Sequence, residues 1–300
     1  QEGPVSGVAV VTAGNDKYVY YWNEYRKIGV GVTVRKYVIL DGVPIGEESS
    51  IDLIEFDALV KGQIKFEVYE GSGVDPSKLY QTYTWAQLKN TALPLSVGTW
   101  TIKETNYDVD NYNHTIAFHV IGATPTPIDS TNDTVTFTLT KNAVVTIDVT
   151  NAYTKTGTLK VQKLFGADSD LKAENLTDAQ KNAIKFKVTG YSSVNFDSDD
   201  MSNNTVIWPS EEFTYADMTE DSEGIMTKIF EKVPTGIYVV EENGEIENYN
   251  VQTTYNPDAN GIVVSFGGEG LQQITNTYTR QKGNLEVQKT FNAPDTLTEE

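Results

Sequence analysis

The chain is 300 residues long and carries 42 acidic against 23 basic residues, a formal charge of −19. That balance argues against nucleic acid as a partner, because a phosphate backbone is held by basic surfaces. Cysteine is absent and histidine occurs twice, which excludes disulfides, thiolate metal sites and a cysteine nucleophile and leaves little of the usual catalytic inventory.

The length fits two domains, each large enough for its own core. No apolar run reaches the length needed to cross a bilayer, so no membrane insertion is expected. No signal peptide is visible, and an opening Gln1 is expected of a processed or trimmed chain. Short apolar–polar alternations such as "TVTFTLT" (134–140), "VVTIDVT" (144–150) and "GIVVSF" (261–266), punctuated by Gly, Asn, Asp and Pro, predict antiparallel β-structure throughout. The fold class is all-β.

In chain order, residues 1–30 come first and have no counterpart later; their aromatic "KYVYYWNEY" (17–25) is expected to add a strand or cover an edge. Five landmarks follow: "VTVRK" (32–36), "IKFEV" (64–68), "YTWAQL" (83–88), "GTWTIKE" (98–104) and "VTNAYT" (149–154). The same five return in the same order as "LKVQK" (159–163), "IKFKV" (184–188), "FTYADM" (213–218), "GIYVVEE" (236–242) and "ITNTYT" (274–279). Their separations run from 120 to 138 residues, which marks a tandem repeat. A third copy opens with "NLEVQK" (284–289), and "LTEE" (297–300) echoes "NLTDAQ". The expected division is therefore a first β-sandwich at 1–155, a second at 156–282, and the opening strand of a truncated third repeat at 283–300.

Each copy has the size and strand number of an immunoglobulin-like sandwich. The links "KT" (155–156) and "RQK" (280–282) are too short for free movement, so the domains are expected to stack end to end. One helical turn is expected at the capping box Thr177-x-x-Gln180. His114 and His119, five apart on a strand, face opposite ways and are not expected to share a metal. "NPDANG" (256–261) has some calcium-loop spacing but Gly267 where a bidentate glutamate belongs, and is read as a hairpin turn. No cofactor or metal is expected.

Three polar residues per copy lie on the apolar face. Residues two apart in a strand share a side, so Lys36 follows Val32 and Val34, Lys163 follows Leu159 and Val161, and Lys289 follows Leu285 and Val287. Glu104 extends Trp100 and Ile102, and Glu242 extends Tyr238 and Val240. Asn151 extends Ile147 and Val149, and Asn276 follows Ile274. A strand-end lysine can snorkel to solvent, which accounts for one position but not for three coordinated ones occurring twice. Buried charges need partners. If the trio meets, burial lowers the lysine pKa and raises that of the glutamate. A neutral amine can then attack the asparagine carbonyl, polarised by a protonated glutamic acid, and expel ammonia.

These motifs, "VxK" opening a copy, "Gx[YW]xxxE" in its later half and "xTNxYT" closing it, resemble the B-type (CnaB-like) repeat domains of Gram-positive surface adhesins and pilin backbones. The resemblance covers both full copies and the opening of the third. It implies immunoglobulin-like sandwiches with intramolecular Lys–Asn isopeptide bonds assisted by a glutamate: Lys36–Asn151 with Glu104, and Lys163–Asn276 with Glu242. Glu241 adjoins the acid, but the spacing from the aromatic residue favours Glu242.

The expected function is structural: a secreted, cell-wall-anchored stalk or pilus subunit, not an enzyme beyond its own single-turnover cross-linking. Its partners would be neighbouring subunits, with sortase if the parent chain carries a sorting signal. The alternative is an adhesin whose first domain binds a host protein or glycan, motivated by the aromatic lead-in; an accessory module of an extracellular enzyme ranks below both. Neither a "YPK"-like pilin lysine nor an "LPxTG"-like signal occurs, although "ALPLSVG" (92–98) is superficially similar to the latter. Lys289, without a Glu or Asn of its own repeat, is expected to stay a free amine.

Overall fold

The computed structural model describes residues 29–123, 129–131 and 133–290. The aromatic stretch 17–25, on which the ligand-binding alternative rests, and the echo at 297–300 lie outside these. The described residues form two compact units: 29–37 with Lys61–Asn106 and those of 117–150, and Val38–Val60 with Tyr107–Ile116 and 151–290.

In the first unit an antiparallel sheet runs Leu79–Thr84, Lys65–Glu70, Gly98–Thr105, Thr134–Leu139, with Asp129–Thr131 outermost. A second set is built on the strand Gly29–Leu40, which pairs antiparallel with Leu93–Ser96 and neighbours the long strand Val145–Phe165. Alternation dictates which side chains go inward: Val30, Val32, Val34 and Lys36 are buried, and their neighbours are exposed. On the outer side Arg35 grips Asp148 with Nε and Nη2 at 2.6 and 2.7 Å.

The second unit contains a complete two-sheet sandwich. One sheet runs Met226–Pro234, then the end of Val145–Phe165, then Glu269–Arg280, then Tyr249–Asn256. The other runs Val206–Thr214, Lys185–Tyr191, Gly236–Asn243, Ile262–Val264. Leu159, Val161 and Ile274 from the first sheet share one core with Phe186, Val188 and Tyr238 from the second. Thr158–Phe165 and Glu269–Asn276 lie parallel.

The repeated landmarks have physical causes. Phe66 pairs with Glu104, and Phe186 with Glu242, in the same register. Trp100 and Tyr238 are buried and each donates to the carbonyl four residues earlier, Ser96 at 2.8 Å and Pro234 at 2.7 Å. The backbone N–H groups of Thr84 and Thr214 both donate to a side chain three residues on, Gln87 and Asp217, at 2.8 Å. The expected box at Thr177 caps the helix Asp178–Ala183.

Three readings need correction. A helix at Ile51–Gln63 was not foreseen. Its face is marked by Phe56 and Val60, but Ile51 and Leu59 are exposed, so apolar residues surround the axis and blur the period. The segment 256–261 is no hairpin turn: it leaves Tyr249–Asn256 in one sheet and enters Ile262–Val264 in the other. The "KT" link is not a linker in form, since Val145–Phe165 is one strand.

Candidate functional site

Lys163, Glu242 and Asn276 come from three strands. The parallel register sets Lys163 opposite Ile274 and Phe165 opposite Asn276, so Lys163 and Asn276 point inward from neighbouring strands. Glu242 reaches them from the facing sheet. Glu241, one residue earlier, points outward to Lys187 at 3.6 Å.

The carboxylate of Glu242 bridges the other two. Its Oε2 accepts from Lys163 Nζ at 2.7 Å, and its Oε1 accepts from Asn276 Nδ2 at 2.5 Å. The carboxamide nitrogen also donates to the Tyr278 hydroxyl at 2.9 Å. Asn276 Oδ1 is buried and has no hydrogen-bond partner among the described residues. The sequence reading put the acid on the carboxamide oxygen; the structure puts it on the nitrogen, whose N–H donates to Glu242 Oε1.

Burial pulls the Lys163 pKa down from 10.5 to about 8, against the opposing pull of the Glu242 charge. Burial likewise pushes the Tyr278 phenol up to about 12. Phe165 walls the site: its ring lies 5.9 Å from Lys163 Nζ and stacks on Tyr278.

In the first unit Lys36 Nζ meets Glu104 Oε2 at 3.1 Å, with neither side chain exposed. Asn151 belongs to the second unit; it is buried, and its Nδ2 donates to the Tyr153 hydroxyl at 3.4 Å. Lys289 lies in an exposed stretch outside any helix or strand. Sequence reading missed the tyrosines, although "TNxYT" carries one two residues after each asparagine, on the same face.

No protein-family model and no curated protein matches the chain. Among solved structures, it is 15% identical to the C-terminal fragment of the pilus adhesin SpaC from Lactobacillus rhamnosus GG, covering 87% of this chain and 100% of that one at a TM-score of 0.26. It is 14% identical to the T-13 major pilin of Streptococcus pyogenes, over 85% of this chain and 98% of that one, at a TM-score of 0.23. At such identities and TM-scores the likeness supports no inference of function.

Proposed function

We propose that this chain is a structural segment of a Gram-positive cell-surface stalk or pilus, made of self-cross-linking sandwich domains at 1–155 and 156–282. The observation that supports it is the Glu242 carboxylate touching an amine and a carboxamide at once, in a site from which water is nearly excluded. Such an arrangement supports joining Lys163 to Asn276 and, by the repeat, Lys36 to Asn151 with Glu104.

The chemistry starts from the neutral amine. The Nζ–Cγ bond forms as the Cγ–Nδ2 bond breaks. One Nζ proton passes to Glu242, Glu242 yields a proton to Nδ2, and ammonia leaves while the carboxyl ends as it began. Bridging both nitrogens, Glu242 needs no diffusing acid or base.

Each bond ties the first strand of a domain to its last. Tension entering at the lysine strand would leave at the asparagine strand through covalent bonds. A chain without cysteine gains reinforcement that reductants cannot cut.

Intact mass spectrometry tests this. The folded chain is expected to be lighter than its sequence by two ammonia molecules, with branched peptides joining Lys36 to Asn151 and Lys163 to Asn276. A mass equal to that of the sequence would remove the mechanism.

A further inference from the structure

We infer that Tyr278 is a positioning residue for this reaction, its phenol oxygen holding the Asn276 carboxamide in the one rotation that sets the leaving nitrogen against Glu242; this rests on the cross-linking reading above. A carboxamide nitrogen has two N–H donors. Here both are used, one on Glu242 Oε1 and one on Tyr278. The oxygen has no hydrogen-bond partner among the described residues, so the rotation is fixed by what grips the nitrogen.

The tyrosine is itself well held. Its ring is buried, stacks on Phe165 and meets Tyr249 edge-on, and its backbone N–H donates to Ser169 Oγ at 3.0 Å. It stays a neutral phenol, able to accept from Nδ2. The other copy repeats the device with a different support. Tyr153 donates its hydroxyl proton to the Tyr107 carbonyl at 2.7 Å, which leaves only lone pairs facing Asn151 Nδ2.

Without this grip the carboxamide is held through Glu242 Oε1 alone. The nitrogen can then swing about that single contact and is less often in line for the proton that lets ammonia depart. A phenylalanine fills the same core volume but cannot hold the nitrogen. Loss of alignment alone can cost orders of magnitude in rate.

The test uses the full chain recovered in denaturant from inclusion bodies, refolded at pH values from about 6 to about 10, the range spanning lysine titration in this setting. Loss of ammonia is followed by intact mass and assigned to either domain by peptide mapping. Tyr278→Phe is expected to slow the Lys163–Asn276 bond about tenfold or more at every pH, leaving the pH inflection where the wild type has it. Tyr153→Phe is expected to do the same to the Lys36–Asn151 bond alone, and covers the case in which the first variant does not fold. An unchanged rate in both overturns the inference. So does an inflection moved up toward that of ordinary lysine, which would mean a loosened, rehydrated pocket rather than a misaligned carboxamide. A wild type that loses no ammonia overturns the cross-linking reading itself, a result distinct from either.

Discussion

Lys163 and Glu242 meet at 2.7 Å with side chains 0% and 7% exposed. Such a pair is a poor device for stability alone, because removing two charges from water offsets most of their attraction, and apolar residues of similar size often do as well. Its presence is better explained by what a dehydrated amine can do next to a carboxamide.

Replacing Glu242 with Ala is expected to abolish one ammonia loss and spare the other. The stability cost has two parts. Losing a closed loop of 276 − 163 = 113 residues removes about 4–5 kcal/mol by analogy with disulfides. A buried lysine left without its carboxylate adds ~3–5 kcal/mol. Denaturant titration of the second domain reads the sum, and a shift below 2 kcal/mol or so would count against both contributions.

The pH dependence follows from the lysine. With a pKa of about 8, Lys163 becomes neutral inside the fold at a pH where an ordinary lysine is still charged. The rate of the second bond is therefore expected to rise through pH 8 and level off above it. In the uncross-linked Asn276→Ala chain the same shift acts on stability. Below about 8 the lysine is protonated in both folded and unfolded states. Between about 8 and 10.5 the unfolded chain holds a proton that the folded one lacks, so stability rises with pH across that window. Thermal melts at a series of pH values check the direction.

The trio was legible in the sequence because a strand's period of two leaves no freedom: a charged residue two positions after a buried one points where that one points. Lys163, Glu242 and Asn276 each followed from that rule. Asking of every residue on the asparagine face what its polar tip bonds would have added Tyr278. The helix Ile51–Gln63 was illegible for the opposite reason, since exposed Ile51 and Leu59 hide the stripe of Phe56 and Val60. At 256–261 the turn residues announce a reversal but not which sheet the chain enters next, a choice made by packing.

Thr177→Ala tests the capping box. The Thr177 hydroxyl accepts from the Gln180 N–H at 3.3 Å, and the Gln180 side chain accepts from the Thr177 N–H at 2.9 Å. Losing the cap is expected to cost ~1 kcal/mol, read by denaturant titration of an uncross-linked background.

Gly157 has no room for a side chain. A Cβ there would lie 2.5 Å from the Ser265 carbonyl and 2.8 Å from that of Gly268, both backbone atoms. Gly157→Val is expected to destabilise the second sandwich by ~1–3 kcal/mol, the usual range for overpacking, and to lower the yield of the Lys163–Asn276 bond. An unchanged melting temperature would contradict the close approach.

The continuous strand Val145–Phe165 carries Asn151 and Lys163, 163 − 151 = 12 positions apart. With both bonds formed, a protease nicking the chain between Lys36 and Asn151, or between Lys163 and Asn276, would leave one molecule, still joined through the side chains. Only the stretch 152–162 would stay a single thread whose scission parts the two halves. Most of that stretch is sheltered: Tyr153, Thr156, Leu159 and Val161 are buried, and from residue 158 onward both its edges are paired, while Thr154 is exposed. Whatever digests exposed loops in the surroundings of such a protein would find little there to hold.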